Sequence, residues 1–178
     1  MRNWQTNPEA KNEFAVEGDI VWIKLTQGQE TCVDLPDWTT VRAYRWCALE
    51  RKNGGFYAVT NLPRAGIKSR FSRYLHQLIF GAKGPDHRDG DGLNNLRSNL
   101  RKASKSQNAA NSLKREGYSS PFRGVSFRKD KGKWQARVRV ERVRKHIGYF
   151  TDEQEAARAY DCAALEHFGE FAKLNFPI

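Results

Sequence analysis

The stretch GKWQARVRV (Gly132–Val140) alternates from end to end. Successive side chains of an extended chain point to opposite faces, so Trp134, Ala136, Val138 and Val140 share one side and Gln135, Arg137 and Arg139 the other. A strand of this kind must bury its apolar face against another element, and it leaves cations on the outer face. Its flanks, FRGVSFRKDKG (Phe122–Gly132) and RKHIGYF (Arg144–Phe150), are also basic and strand-like. The segment that follows, TDEQEAARAYDCAALEHFGEF, reads as one helix. Thr151 is the predicted N-cap with Gln154 in the capping-box position, acids fill the first turn, and Gly169 follows the end. Ala156, Ala157, Tyr160, Ala163, Ala164 and Leu165 give it a small-residue face that can lie close against a sheet.

Charge is distributed as unevenly as hydrophobicity. The chain carries +11 overall, with −1 over residues 1–60, +8 over 61–121, +8 over 122–150 and −4 over 151–178. A positive field confined to the middle of the chain describes a binding surface for a polyanion, nucleic acid before membrane. Cys32, Cys47 and Cys162 are widely spaced with no C-x-x-C, which argues against a disulfide framework or a zinc finger and fits a reducing compartment. No apolar run approaches the ~20 residues of a membrane span, and the N-terminus lacks the apolar core of a signal peptide. The expected location is the cytoplasm.

The first part of the chain reads as β-rich. Residues 1–17 are polar and unpatterned, the expectation for a flexible tail. DIVWIKLTQGQETCVDL (Asp19–Leu35) predicts a strand pair turned near Gly28, and YRWCALERKNGGFYAVTNL (Tyr44–Leu62) a second pair turned at Asn53-Gly54. The predicted organisation is a small β-rich module over 18–70, a core over 71–111, a linker over 112–120 rich in turn formers, and a further domain over 121–178.

Within the core, PDHRDGDGLNNLRSNLRKASKSQNAAN (Pro85–Asn111) concentrates asparagine beside one Asp-His pair. Hydrolysis of a phosphodiester needs a base that works near neutral pH, which a histidine supplies. It also needs a stabiliser for charge on the leaving oxygen, which a divalent ion supplies. A hard ion such as Mg²⁺ takes oxygen ligands and draws only one or two of them from protein. Asp86 offers a carboxylate and Asn108 an amide carbonyl. Ser104 and Gln107 form a capping-box pattern, so a helix is predicted from Ser104 with Asn108 on its second turn and Asn111 on nearly the same face. The short Leu100-Arg101 run suits a strand beside Asp86-His87. His76 sits in an apolar helical context that favours packing or a phosphate contact over catalysis, and His146 and His167 lie outside this constellation.

These residues resemble the HNH nuclease family, and in particular the homing-endonuclease branch whose last histidine is replaced by asparagine. The resemblance is carried by LHQLI (Leu75–Ile79), Asp86-His87, LNNLRSNLR (Leu93–Arg101) and SQNAAN (Ser106–Asn111). It implies a ββα-metal fold with Asp86 and Asn108 as metal ligands, His87 as general base, and Mg²⁺ or Mn²⁺ as the single divalent cofactor. It further implies Asn99 as the asparagine that ties the loop and orients His87, with Asn95 pinning the same loop. Arg88 departs from the apolar residue common after the Asp-His pair.

The segment from Pro121 to Pro177 resembles the Apetala/ethylene-response-factor DNA-binding domain, through FRGV, GKWQARVRV, IGYF, EAARAYDCAA and LNFP. In that family a three-stranded sheet enters the major groove. The contacts implied here are Arg123, Arg128, Arg139 and Arg144, with Arg137 and Lys145 beside them. Ser126 stands where the plant factors usually have arginine, Arg137 where they often have glutamate, and His146 at a DNA-facing tryptophan position, so the plant target sequence does not carry over.

The fold expected is therefore α+β: a β-rich N-terminal module, a ββα-metal core, and a C-terminal three-stranded antiparallel sheet packed on one helix. The function expected is that of a homing-type endonuclease of phage or mobile-element character. It would act in a bacterial or phage-infected cell on double-stranded DNA, as a monomer or weak dimer that nicks one strand and leaves 5′-phosphate and 3′-hydroxyl ends. The rival expectation is a DNA-binding regulator that keeps the nuclease fold without cleaving.

Overall fold

Glycine-assisted turns set the register of the first strands. A computed structural model of the chain describes residues 2–52, 54–64, 67–81, 84–111, 119–141 and 143–177, with backbone alone for 64 and 67–70. It divides into two compact units, Met1–Lys102 and Ala103–Ile178.

In the first unit, β1 (Phe14–Glu17), β2 (Ile20–Lys24) and β3 (Glu30–Asp34) form an antiparallel meander. Gly18 at φ 60° opens the turn between β1 and β2, and Gln27 (φ 59°) with Gly28 (φ 66°) turns β2 into β3 where the sequence predicts it. Residues 1–17 differ from the expected flexible tail. β1 lies inside that stretch, Gln5 bridges to Phe14, and the Arg2 guanidinium stacks 3.6 Å over the Trp22 ring while pairing with Glu30. Polar side chains hide this docking from a hydrophobicity pattern, because it rests on backbone bonds and a cation–π contact.

Helix α1 (Leu35–Val41), opened by Pro36, leads into a second antiparallel sheet of β4 (Cys47–Glu50), β5 (Phe56–Arg64) and β6 (Ile67–Tyr74). Gly54 and Gly55 supply positive φ at the β4–β5 turn, whereas Asn53 lies outside the described residues. Helix α2 (Leu75–Phe80) is followed by a strand pair, β7 (Pro85–His87) and β8 (Leu100–Lys102), with Asp86 opposite Arg101. One core serves all of these elements. Val21, Ile23, Val33, Val41, Trp46, Ala58, Leu75, Ile79 and Leu100 are buried in a single cluster. The boundary expected at residue 70 is therefore not a boundary in packing: α2 and β8 share their core with the preceding sheets.

The second unit opens with α3 (Lys105–Asn111), whose capping box is reciprocal as predicted. The Ser104 N–H donates to Gln107 Oε1 at 2.8 Å and the Gln107 N–H to Ser104 Oγ at 3.2 Å. Residues 112–118 of the expected linker lie outside the described residues. Next, β9 (Val125–Arg128), β10 (Lys133–Val140) and β11 (Val143–Phe150) make an antiparallel sheet in the order β11-β10-β9, covered on one face by α4 (Glu153–Phe168). Ala156 and Ala157 on the helix and Ala136 on the sheet are fully buried, so small side chains bring the two layers together.

Two expectations for α4 are corrected. Its N-cap is Asp152, which accepts from the Glu155 N–H at 2.8 Å, not Thr151 with Gln154. The buried stripe ends on Phe168, while Leu165 is 38% exposed. The Asp161 carboxylate fastens the C-terminal segment to the helix, accepting from Asn175 N at 2.9 Å, Asn175 Nδ2 at 3.0 Å and Phe176 N at 3.0 Å.

Candidate functional site

The loop between β7 and β8 is built from side-chain hydrogen bonds, which explains the asparagine concentration. Asn99 closes it: its Oδ1 accepts from the Asp89 N–H at 3.2 Å, and its Nδ2 donates to Asp89 Oδ1 at 3.0 Å and Asn94 O at 2.8 Å. Asp89 also accepts from the Asp91 N–H and from Asn94 Nδ2, both at 2.8 Å. Arg51 braces the outside, donating to Gly90 O at 2.9 Å with its guanidinium over the Tyr57 ring. Short polar side chains supplement here the backbone bonds of the loop, such as that from Arg88 N–H to Asn99 O at 2.9 Å. Gly92 is required for close approach, because a Cβ there would lie 2.4 Å from Phe56 O and 2.4 Å from the Tyr57 ring.

His87 is buried, and Asn95 is hydrogen-bonded to its ring. His87 Nε2 and Asn95 Oδ1 are 3.2 Å apart, whereas the resemblance gave the orienting role to Asn99. The far end of the network fixes the direction of this bond. Asn95 Nδ2 lies 3.2 Å from the Leu93 carbonyl oxygen, which can only accept, so the oxygen of the amide faces His87. Nε2 therefore carries the proton, and Nδ1 is the basic nitrogen of the neutral ring. Asn95 Nδ2 also donates to Thr31 Oγ1 at 2.8 Å, and that hydroxyl donates to Leu93 O at 2.6 Å. A strand that lies 64 positions upstream of Asn95 thus ends the chain of bonds that begins at His87.

Burial is the largest influence on the His87 ring and holds its pKa below the usual histidine value, opposed by the Asn95 bond and the nearby Asp89 and Asp86 charges. The ring lies in an aromatic nest: His76 meets it edge-on at 4.9 Å and Tyr57 sits at 6.0 Å. His76 is itself buried, stacks on Tyr74, and has a buried Nδ1 with no hydrogen-bond partner among the described residues. Burial first, and the His87 charge second, push its pKa down to about 3. Of the packing and phosphate-contact roles expected of His76, the placement shows the packing.

Asp86 is buried against Arg101, whose Nε and Nη2 donate to its Oδ2 at 3.1 and 3.0 Å. Among the described residues no three His, Cys, Asp or Glu side chains form a metal cage. Asn108 stands exposed on α3 in the second unit, while Asn111 is buried there. The donor chemistry of Asp86 and Asn108 is carboxylate and amide oxygen, which fits a hard cation that leaves most of its ligand positions to water and phosphate.

On the second unit, the register puts Ser126, Arg128, Lys133, Gln135, Arg137, Arg139, Arg144, His146 and Tyr149 on the sheet face away from α4. Arg139 and Arg144 are exposed, and Arg128 is half-buried and paired with Asp130 at 2.9 Å. Two expected contacts are placed differently. Lys145 pairs with Val138, on the opposite face from Arg144 and His146. Arg123 is half-buried and turned inward, donating to Ala110 O at 3.2 Å and bonding Tyr160.

Sequence reading missed Thr31, Arg101 and Gly92. Thr31 carried a signal, since the alternation of ETCVD puts it on the inward face with Val33 where an apolar residue would be the default.

No protein-family model matches the chain. An uncharacterized HNH endonuclease of Acanthamoeba polyphaga mimivirus is 30% identical over 178 residues, covering 96% of this chain and 89% of that protein. An AP2/ERF and B3 domain-containing protein of Oryza sativa subsp. japonica is 44% identical over 59 residues, 33% of this chain and 16% of that protein. An APETALA2-like protein 2 of Oryza sativa subsp. indica is 48% identical over 60 residues and is matched over 14% of its length, so the chain spans only a small part of these plant proteins. With the mimivirus protein aligned over nearly its whole length, and the Asp86-His87 strand pair and asparagine loop in place, the chain belongs to the HNH endonuclease family.

Proposed function

We propose that this chain is a metal-dependent endonuclease of homing type that hydrolyses phosphodiester bonds in double-stranded DNA, nicking one strand, with the basic sheet of its second unit holding the duplex. The observation that carries the reading is the Thr31–Asn95–His87 chain of bonds. It holds a buried imidazole in one tautomer, with Nδ1 as the base that takes a proton from the attacking water. Burial keeps that ring neutral at neutral pH. Asp86 and Asn108 are the oxygen donors for a divalent ion, Mg²⁺ or Mn²⁺. When bound, the ion stabilises charge developing on the phosphate and the leaving oxygen. The arginine face and the +8 charge of residues 122–150 support a sequence-independent grip on DNA phosphates.

A second reading, a DNA-binding regulator that keeps the nuclease fold, draws on one observation. The Asp86 carboxylate is already neutralised by a buried guanidinium at 3.0 Å. Conversion of supercoiled plasmid in Mg²⁺, Mn²⁺ or EDTA, by wild type beside Asp86→Ala and His87→Ala, separates the two. Metal-dependent nicking absent from both variants is the expected result. Duplex binding without nicking on any substrate favours the regulator, and nicking that survives His87→Ala removes the mechanism.

A further inference from the structure

At the centre of the basic face lies a group of side chains that phosphate binding does not explain. Gln135 stands on the middle strand, with Ser126 opposite it on one side and Tyr149 on the other. It is 5% exposed on a face that also carries Arg128, Lys133, Arg137, Arg139 and Arg144. Its Nε2 donates to His146 Nδ1 at 3.1 Å and to Tyr149 Oη at 3.3 Å, and Lys131 holds the Tyr149 ring from above at 4.2 Å. Its Oε1 is buried without a hydrogen-bond partner among the described residues. A residue selected for stability at this position would be apolar, because a buried acceptor left unpaired is costly.

His146 reaches this face through a bulge. Ala136 pairs with Gly148 but Arg137 pairs with His146, so Ile147 is an extra residue on β11. In an unbroken ladder His146 would lie beside Val138 on the buried face, since a shift of one residue reverses every side chain. With the bulge, Ile147 packs into the core and His146 stands exposed beside Gln135. With the Gln135 amide nitrogen turned toward the ring, as here, Nδ1 of His146 bears the lone pair and its Nε2 bears the proton. The result is an outward-facing hydrogen-bond donor whose tautomer is set from beneath.

We propose that Gln135 and His146 form a preset guanine reader within a duplex-binding face, His146 donating from Nε2 to the base and Gln135 positioning its ring. Guanine is the base whose major-groove edge offers two acceptors, N7 and O6, with no donor or methyl group beside them. This inference rests on the duplex-binding reading of the second unit.

The test is selection of the full chain on a randomised duplex library, followed by binding to the best site and to the same site with 7-deazaguanine at each guanine. Wild type is expected to require guanine at one position and to lose affinity there by roughly tenfold on deaza substitution. His146→Ala, an exposed change, and Gln135→Leu should bind the two duplexes alike. Nitrogen NMR should find the His146 ring protonated at Nε2 in wild type and in mixed tautomers in Gln135→Leu. A deaza effect that persists in His146→Ala overturns the proposal while leaving duplex binding intact, and so does wild-type binding without base preference. Absence of duplex binding in wild type overturns the underlying reading and this inference with it.

Discussion

Asn95 joins the His87 ring to Thr31, accepting from Nε2 at 3.2 Å and donating to the threonine hydroxyl at 2.8 Å. All three side chains are buried. The ring is thereby held in one tautomer by a group that does not titrate.

Asn95→Ala removes the acceptor that faces the buried ring N–H. The expected outcome is a loss of about 1–3 kcal/mol of stability by urea unfolding. Metal-dependent nicking should fall by roughly a hundredfold, within the range of general-base contributions. Thr31→Val should cost less in both, since Asn95 Nδ2 keeps Leu93 O at 3.2 Å. Wild-type nicking by Asn95→Ala would show that the tautomer is set elsewhere.

Gly92→Ala drives a methyl group into the Phe56 carbonyl and the Tyr57 ring. The carbonyl belongs to β5 and cannot move alone, so the loop must shift. A cost of about 1–3 kcal/mol is expected, with a drop in nicking because Tyr57 borders His87. An unchanged thermal midpoint would mean the loop yields freely.

Stability should depend on pH through His76. Its folded pKa is held down at about 3, against about 6.5 when unfolded. The unfolded chain therefore binds more protons between these values. The contribution is full above about 6.5 and is lost as pH falls toward 3, at up to ~1.4 kcal/mol per unit. The lowered His87 pKa acts in the same direction. Chemical unfolding of His76→Phe across this window should give a flatter profile than wild type, and an identical slope would refute the assignment.

Asp161→Ala orphans the Asn175 and Phe176 N–H groups that its carboxylate satisfies. About 2–4 kcal/mol should be lost, with hydrogen exchange rising first in the C-terminal segment. Full protection in the variant would show that the segment is held by its apolar contacts alone.

Duplex binding by the second unit should weaken with salt. Arg139→Ala and Arg144→Ala should each reduce the slope of log affinity against log salt by about 0.9. Lys145→Ala should leave it nearly unchanged, because Lys145 shares the Val138 face. A full unit of slope lost in Lys145→Ala would contradict the register.

Features with a local cause were legible in the sequence. The turns at Gly28 and Gly54 and the Ser104–Gln107 box follow from residues within a few positions of one another, and the β7–β8 pairing joins two short runs on either side of a single loop. The α4 cap slipped by one because Thr151 and Asp152 each have a Gln or Glu three residues on, and pattern alone cannot choose between them. Non-local features were not legible. The Thr31–Asn95 bond spans 64 positions, and the face taken by His146 depends on a single extra residue in β11. The inward turn of Arg123 depends on Tyr160 and Ala110, neither of which neighbours it in sequence.

The shared core and the threonine anchor have a consequence for inheritance. The Asp86-His87 strand pair takes its hydrophobic support from Leu75, Ile79 and the sheets before them, and its imidazole orientation from β3. A recombination event that carried only the motif region into another gene would arrive without either. The portion of this chain that can be exchanged as one cassette therefore starts near its first strand, and a short motif match elsewhere in a genome, lacking those strands, should not be counted as a working copy.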